Sequence, residues 1–75
     1  MDERARYQIQ VQGRLSDRWT VEFEDMTITA KSEGDGPTIT ILDGTVVDQA
    51  ALHGLLNRIM DLGLPLLLVK RMGAE

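Results

Sequence analysis

Residues 46–72 read VVDQAALHGLLNRIMDLGLPLLLVKRM and decide the fold of this chain. Asp48 is a suitable N-cap for a helix, because its carboxylate can accept a free backbone N–H of the first turn. Gly63 can take the left-handed conformation that ends a helix, and Pro65 prevents continuation. Between them, apolar residues recur at spacings of three and four, along one side of a helix: Leu52, Leu55, Leu56, Ile59 and Leu62. We predict a capped amphipathic helix followed by an apolar strand.

The composition limits the classes of protein that this chain can represent. Its 75 residues suffice for one domain, and a domain of this size buries only about 60% of the surface that its unfolded chain exposes. It contains no cysteine, so neither disulfides nor a thiolate metal site can add stability. The formal net charge of −4 argues against general attraction to nucleic acid or anionic lipid. We expect good packing or self-association, and no nucleic-acid or membrane partner.

Residues 1–6 do not resemble a signal peptide, because they are largely charged and no apolar core follows them. No apolar run in the chain approaches the roughly 18 residues that a membrane-spanning helix needs. These two features favour a cytoplasmic protein. We expect residues 1–5 and 73–75 to be flexible tails and residues 6–72 to form a single domain.

Two segments before the helix carry the aromatic residues. Over residues 6–15, apolar residues alternate with glutamines, as in a half-buried strand whose inward face starts at Tyr7. Residues 16–25 leave two interpretations open, because Trp19 and Phe23 fit both an alternating strand and a helical turn. The alternation changes after Phe23, which requires a break at residues 24–25. In either case we expect Trp19 and Phe23 to be core anchors.

The sequence pattern of residues 26–42 predicts a β-hairpin. Two alternating segments, 26–32 and 38–42, flank a connection rich in Gly and Asp, which tolerate positive φ values. We expect Thr40 to lie on the same polar face as the other threonines, opposite Ile39 and Ile41. The predicted fold is therefore α+β, with the order β-β-β-α-β and one helix packed on one face of an antiparallel sheet in two layers. The strand order does not follow from the sequence.

The most specific motifs of the chain are VDQAALHGLL at residues 47–56 and DLGLPL at residues 61–66. Together with the YQIQVQG strand at residues 7–13, Trp19 and Phe23, they resemble a family of small uncharacterised bacterial proteins. The resemblance spans nearly the whole chain. It implies a free-standing domain and brings no activity, cofactor or catalytic residue with it.

Few residues are candidates for chemistry. His53 is the only histidine, and it has no second histidine or cysteine with which to hold zinc. A catalytic base would also need an orienting partner and a nucleophile, and no motif supplies them. We therefore predict no catalytic, cofactor-binding or metal-binding residue. If a pocket exists at a subunit interface, we expect His53, Trp19 and Tyr7 to line it.

The strand after the helix carries the strongest functional signal. One helix is about 10–12 Å wide and a four-stranded sheet about 20 Å wide, so the helix covers only part of one face. With regular alternation, Leu66 and Leu68 point to one face and Leu67 and Val69 to the other. Since only one pair can meet the helix, we expect a second subunit to cover the other. Gly54 is a further interface candidate, because a second backbone could approach a small residue.

These observations predict a non-catalytic, homodimeric binding or regulatory module. Two alternatives remain open: a small-molecule binding protein or enzyme with its pocket at the subunit interface, and an accessory subunit that binds another protein in a larger complex. A pocket with convergent polar groups beside His53 would favour the first alternative. A flat apolar patch would favour the homodimer or the accessory subunit.

Overall fold

The computed structural model describes residues 4–15, 23, 26–32 and 34–74. Within them, the elements follow the predicted order: β1 (Ala5–Gln12), β2 (Thr27–Lys31), β3 (Ile39–Val46), α1 (Gln49–Asp61) and β4 (Leu66–Ala74). All paired strands are antiparallel, and their order across the sheet is β2-β3-β1-β4. The predicted α+β fold is confirmed, and the structure adds the strand order.

β1 lies inside the sheet, between β3 and β4. It pairs with β3 along its whole length and with β4 from Ala5↔Ala74 to Val11↔Leu66. The sheet therefore reaches into both segments that the sequence predicts to be tails, and Ala5 is fully buried. Backbone pairing at the carboxyl end continues past Met72, the last large apolar side chain.

The helix begins and ends where its capping residues predict. The Asp48 carboxylate accepts a hydrogen bond from the backbone N–H of Ala51, with an N···O distance of 2.7 Å. Gly63 has φ = +78°, and its N–H donates to the carbonyl oxygen of Met60 at 3.1 Å. Glycine takes this left-handed conformation at little steric cost. Both caps are confirmed.

The core lies between the helix and the middle of the sheet. Phe23 is only 3% exposed there, which confirms its predicted role as an anchor. The predictions for Trp19, for residues 16–22 and for the break at residues 24–25 lie outside the described residues. The buried apolar side chains that form the core cluster are Ile9, Val11, Leu15, Phe23, Leu42 and Ile59.

The third strand presents its faces the other way round from the prediction. Thr40 is buried, with 1% of its surface exposed, and its hydroxyl donates to the carbonyl oxygen of Gly13 at 2.6 Å. Ile39 and Ile41 therefore lie on the outer face of the sheet, away from the helix. Leu42 decides this orientation: it is fully buried and shares the face of Thr40. The threonine hydroxyl tolerates burial because it has an acceptor.

Gly13 is the point at which three segments meet. Its N–H donates to the carbonyl oxygen of Thr38 at 2.7 Å, and its own carbonyl accepts from Thr40. Its φ of +120° is a conformation that L-amino acids rarely adopt, and an added Cβ would lie 2.9 Å from Cδ2 of Leu64. Glycine is therefore required here both by the backbone and by the close approach of a side chain.

β4 forms one edge of the sheet, beyond β1, and the described side chains of residues 66–72 are all exposed. The expectation that the helix buries one pair of its leucines is wrong. The helix packs on β3 and on the core above β1, and β4 lies outside that area. Both predicted pairs are uncovered: Leu66, Leu67, Leu68 and Val69 are 41%, 46%, 37% and 39% exposed.

The alternation of β4 is also broken. Leu68 lies opposite Gln10 of β1, whereas Leu66 lies opposite Val11, with an irregularity in register between the two pairs. Gln10 and Val11 are consecutive and point to opposite faces, so Leu66 and Leu68 do not share a face as predicted. Leu67 is the extra residue that produces this bulge.

Candidate interaction surface

Exposed apolar side chains are concentrated on β4. Five of the large apolar residues that the described part of the chain exposes lie on this strand, and we call them the β4 patch: Leu66, Leu67, Leu68, Val69 and Met72. Val47 and Met60 are also exposed, but they lie elsewhere. Isolated exposed apolar residues are normal, whereas a contiguous group usually marks an interaction site.

The β4 patch occupies both sides of the sheet. Val69 lies opposite Ile9 of β1 and so faces the helix side, whereas Leu68 lies opposite Gln10 on the outer side. From Leu68 to Arg71 the pairing with β1 is regular, and the irregularities in register lie before and after this segment. The β4 patch therefore has side chains on both faces of the sheet, and its central segment pairs regularly with β1.

The two edges of the sheet differ. β2, at the opposite edge, has five residues, and its outer side carries Thr27, Thr29 and Lys31. β4 has nine residues, and its only charged side chains are those of Lys70 and Arg71. Short, polar edge strands are protected against pairing with another chain, whereas long apolar ones invite it. By these criteria β4 is the less protected of the two edges.

The sequence predicts most of this patch but misses Met72. The apolar run of residues 66–69 is visible as a block, and Lys70 and Arg71 then interrupt it. Met72 follows this basic pair, within the same strand. Met72 lies at the end of the predicted strand, but the basic pair separates it from the apolar run that defined the interface candidates.

The candidate pocket residues lie on different elements. Tyr7 is half-buried on β1, opposite Gly44 of β3 and Arg71 of β4. His53 lies exposed on the helix, and Trp19 lies outside the described residues. Gly54, the additional interface candidate, is also exposed on the helix, and a Cβ added there would meet no atom within 4 Å. It lies on a different part of the surface from the β4 patch.

Two depressions lie elsewhere on the described surface. One, of about 240 Å³, is on the outer face and is lined by Gln10, Lys31, Gly36, Pro37, Ile39 and Ile41. The other, of about 220 Å³, lies between the helix and β3, where the Arg58 guanidinium carbon is 4.9 Å from the centroid of the Phe23 ring. Neither His53 nor Tyr7 lines these depressions. The sequence predicts neither, because the first also needs Gln10 of β1 and the second needs Phe23 beside the helix.

Residues 4–15, 23, 26–32 and 34–74 contain neither a candidate metal cluster nor a candidate membrane-spanning helix. In those ranges, no group of three or more His, Asp or Glu side chains is placed so that it could hold a metal ion. Over the same part of the chain, no helix has both the length and the apolar character that crossing a membrane requires.

Comparison with known families identifies the chain at the level of its family. The chain belongs to the family described as Domain of unknown function (DUF8691), whose model matches residues 6–70. The resemblance to a family of unknown activity is confirmed at that level. Comparisons with curated proteins and with solved structures give no match.

Proposed function

We propose that this DUF8691 chain is a non-catalytic binding or regulatory module that works as a homodimer and uses the β4 patch as its contact surface. One observation carries the proposal. Five large apolar side chains are exposed together on a strand that has a neighbour on one side only within the described residues. Removal of such surface from water is favourable by roughly 25 cal/mol per Å².

The small size of the core supports the same proposal. The described side chains that are buried and apolar are few and mostly aliphatic: Ala5, Ile9, Val11, Leu15, Phe23, Leu42, Val46 and Ile59. A domain of this length is marginal in stability when it stands alone. Association through the β4 patch would bury further apolar surface and stabilise the fold by mass action.

A second copy of the chain is the partner that the proposal commits to. Homodimers with two-fold symmetry are the commonest oligomers, and a two-fold contact needs only one self-complementary surface. The alternative of a pocket at the interface receives less support, because neither His53 nor Tyr7 lines either of the two depressions described above. We place the module in the cytoplasm, since a chain without cysteine needs no oxidising compartment to fold.

Sedimentation velocity tests the proposal. We expect the wild-type protein to sediment as a dimer at micromolar concentration. Leu67→Lys places a charge in the β4 patch at a side chain that is already half exposed, so the variant should fold but dimerise at least about tenfold more weakly, which corresponds to about 1.4 kcal/mol. Thr29→Lys adds the same charge at an exposed position of β2 and should leave the dimer unchanged.

A compact wild-type monomer at about 100 μM, a concentration well above the dissociation constants of specific interfaces, would refute the homodimer. That result would favour the accessory-subunit alternative, in which the β4 patch meets another protein. Equal effects of the two lysine substitutions would show that net charge, and not the β4 patch, controls association.

A further inference from the structure

We infer that two copies of the chain join edge to edge, with β4 of one protomer antiparallel to β4 of the other and Val69 on the two-fold axis. The inference rests on the proposed homodimer and specifies its geometry. The result is one continuous sheet of eight strands, in the order β2-β3-β1-β4 followed by its reverse. Such strand addition at an exposed edge is a recurring mode of recognition.

The exposure of both sides of β4 supports lateral pairing over stacking. Val69, on the helix side, is 39% exposed, and Leu68, on the outer side, is 37% exposed. A partner stacked on the outer face would cover Leu68 but leave Val69 in water. A neighbouring strand covers both, because its side chains alternate between the same two faces.

The outer face of the sheet also argues against stacking. Its central part carries Gln8 and Gln10 of β1 and an ion pair in which Nη2 of Arg6 lies 2.6 Å from Oδ1 of Asp43. Thr29 is exposed beside them on β2. Stacking would remove these polar groups from water, and desolvation of charged groups is costly even when they are paired. Lateral pairing leaves them solvated.

Symmetry and charge select the register. A two-fold axis perpendicular to the sheet keeps the helix side of both protomers on the same side of the joined sheet. Residues directly opposite each other must then point to the same side, so the residue on the axis lies opposite its own copy. An axis at Lys70 gives the longest overlap of the strands, but it places Lys70 directly opposite the partner subunit's Lys70, and like charges in this position destabilise a sheet. Axes at Val69 and at Arg71 give the next longest overlap, and the axis at Arg71 would place that arginine opposite its own copy. The axis at Val69 places no residue opposite a residue of like charge. It places Leu68 opposite the partner subunit's Lys70, whose aliphatic stem can pack on the leucine.

Single cysteines test this register, because the chain contains no other thiol. Residues directly opposite in antiparallel strands have Cα atoms about 4.5–5.5 Å apart, within the range that a disulfide bridges. Under a glutathione redox couple, Val69→Cys should form a covalent dimer. At roughly 10 μM protein and a local thiol concentration of about 1 mM, it should do so about a hundredfold faster than Asn57→Cys, on the exposed helix surface.

A second measurement keeps the inference testable if Val69→Cys folds poorly. Leu68→Cys mixed with Lys70→Cys should give the mixed disulfide in preference to either symmetric one. Preferential linkage of Lys70→Cys to itself would overturn the register. If the wild type is a dimer and only the Gly54→Cys variant cross-links, edge pairing is overturned and the homodimer stands. A monomeric wild type would refute the proposed function and, with it, this inference.

Discussion

Thr40→Val probes the one buried polar side chain of the described core. Thr40 is 1% exposed, and its hydroxyl donates to the carbonyl oxygen of Gly13 at 2.6 Å. Valine has the same branched shape and equal strand propensity but cannot donate. The substitution therefore removes the bond between β3 and the end of β1 with little change in volume.

The magnitude follows from three contributions. Loss of a neutral hydrogen bond costs about 0.5–1.5 kcal/mol, and a carbonyl left without its partner costs about 1–3 kcal/mol when fully buried. Gly13 is half-buried, so water can partly replace the hydroxyl and the second cost falls toward its lower limit. The additional buried methyl group of valine returns about 0.8 kcal/mol. The net expectation is a destabilisation of about 1–2 kcal/mol.

Urea unfolding followed by circular dichroism measures this value. With a slope near 1 kcal/mol/M for a small domain, the midpoint should fall by about 1–2 M. The protein concentration must be held constant, because dimerisation makes stability depend on it. Thr29→Val is the matched control: Thr29 is exposed on β2, and the change should stay within about ±0.5 kcal/mol. A Thr40→Val midpoint equal to or above that of the wild type would refute the argument that the hydroxyl is needed in the core.

The remaining predictions concern the caps and Gly13, and the same melts measure them. Gly63→Val should destabilise by more than about 1 kcal/mol, because φ = +78° disfavours a β-branched residue; Asn57→Ala, on the exposed helix surface, should stay within about ±0.5 kcal/mol. Asp48→Ala should cost about 1 kcal/mol through loss of the N-cap, and a value equal to that of Asn57→Ala would exclude a stabilising cap. Gly13→Ala should cost about 1–3 kcal/mol, because its backbone has φ = +120° and Leu64 must move. An unchanged midpoint for Gly13→Ala would show that the backbone relaxes without strain.

The parts of the fold that could be predicted depend on local chemistry. Asp48 and Gly63 act on backbone groups within one helical turn, so their roles can be inferred from neighbouring residues alone. The faces of β1 could also be predicted locally, because apolar residues occupy its inward positions and glutamines follow them on the outward side. The same reasoning identified four members of the β4 patch from one apolar run.

The parts that could not be predicted depend on distant contacts. β3 has isoleucines at one parity and Thr40, Leu42 and Val46 at the other, so composition does not decide which face turns inward. The hydroxyl of Thr40 can be buried only because Gly13 supplies an acceptor from another strand. The exposure of β4 depends likewise on the strand order, which no local pattern records.

The position of β1 has a consequence for how the chain acquires its fold. β1 precedes the other described strands in the sequence and its sheet neighbour β4 follows them, and Ala5 pairs with Ala74. Contacts between such distant residues slow folding, because a long loop must close before they form. Until β4 leaves the ribosome, β1 has an unpaired backbone edge of its own, which is prone to pairing with other chains. The sheet therefore becomes complete only when β4 is available, and a chain cut short before β4 exposes the centre of the sheet.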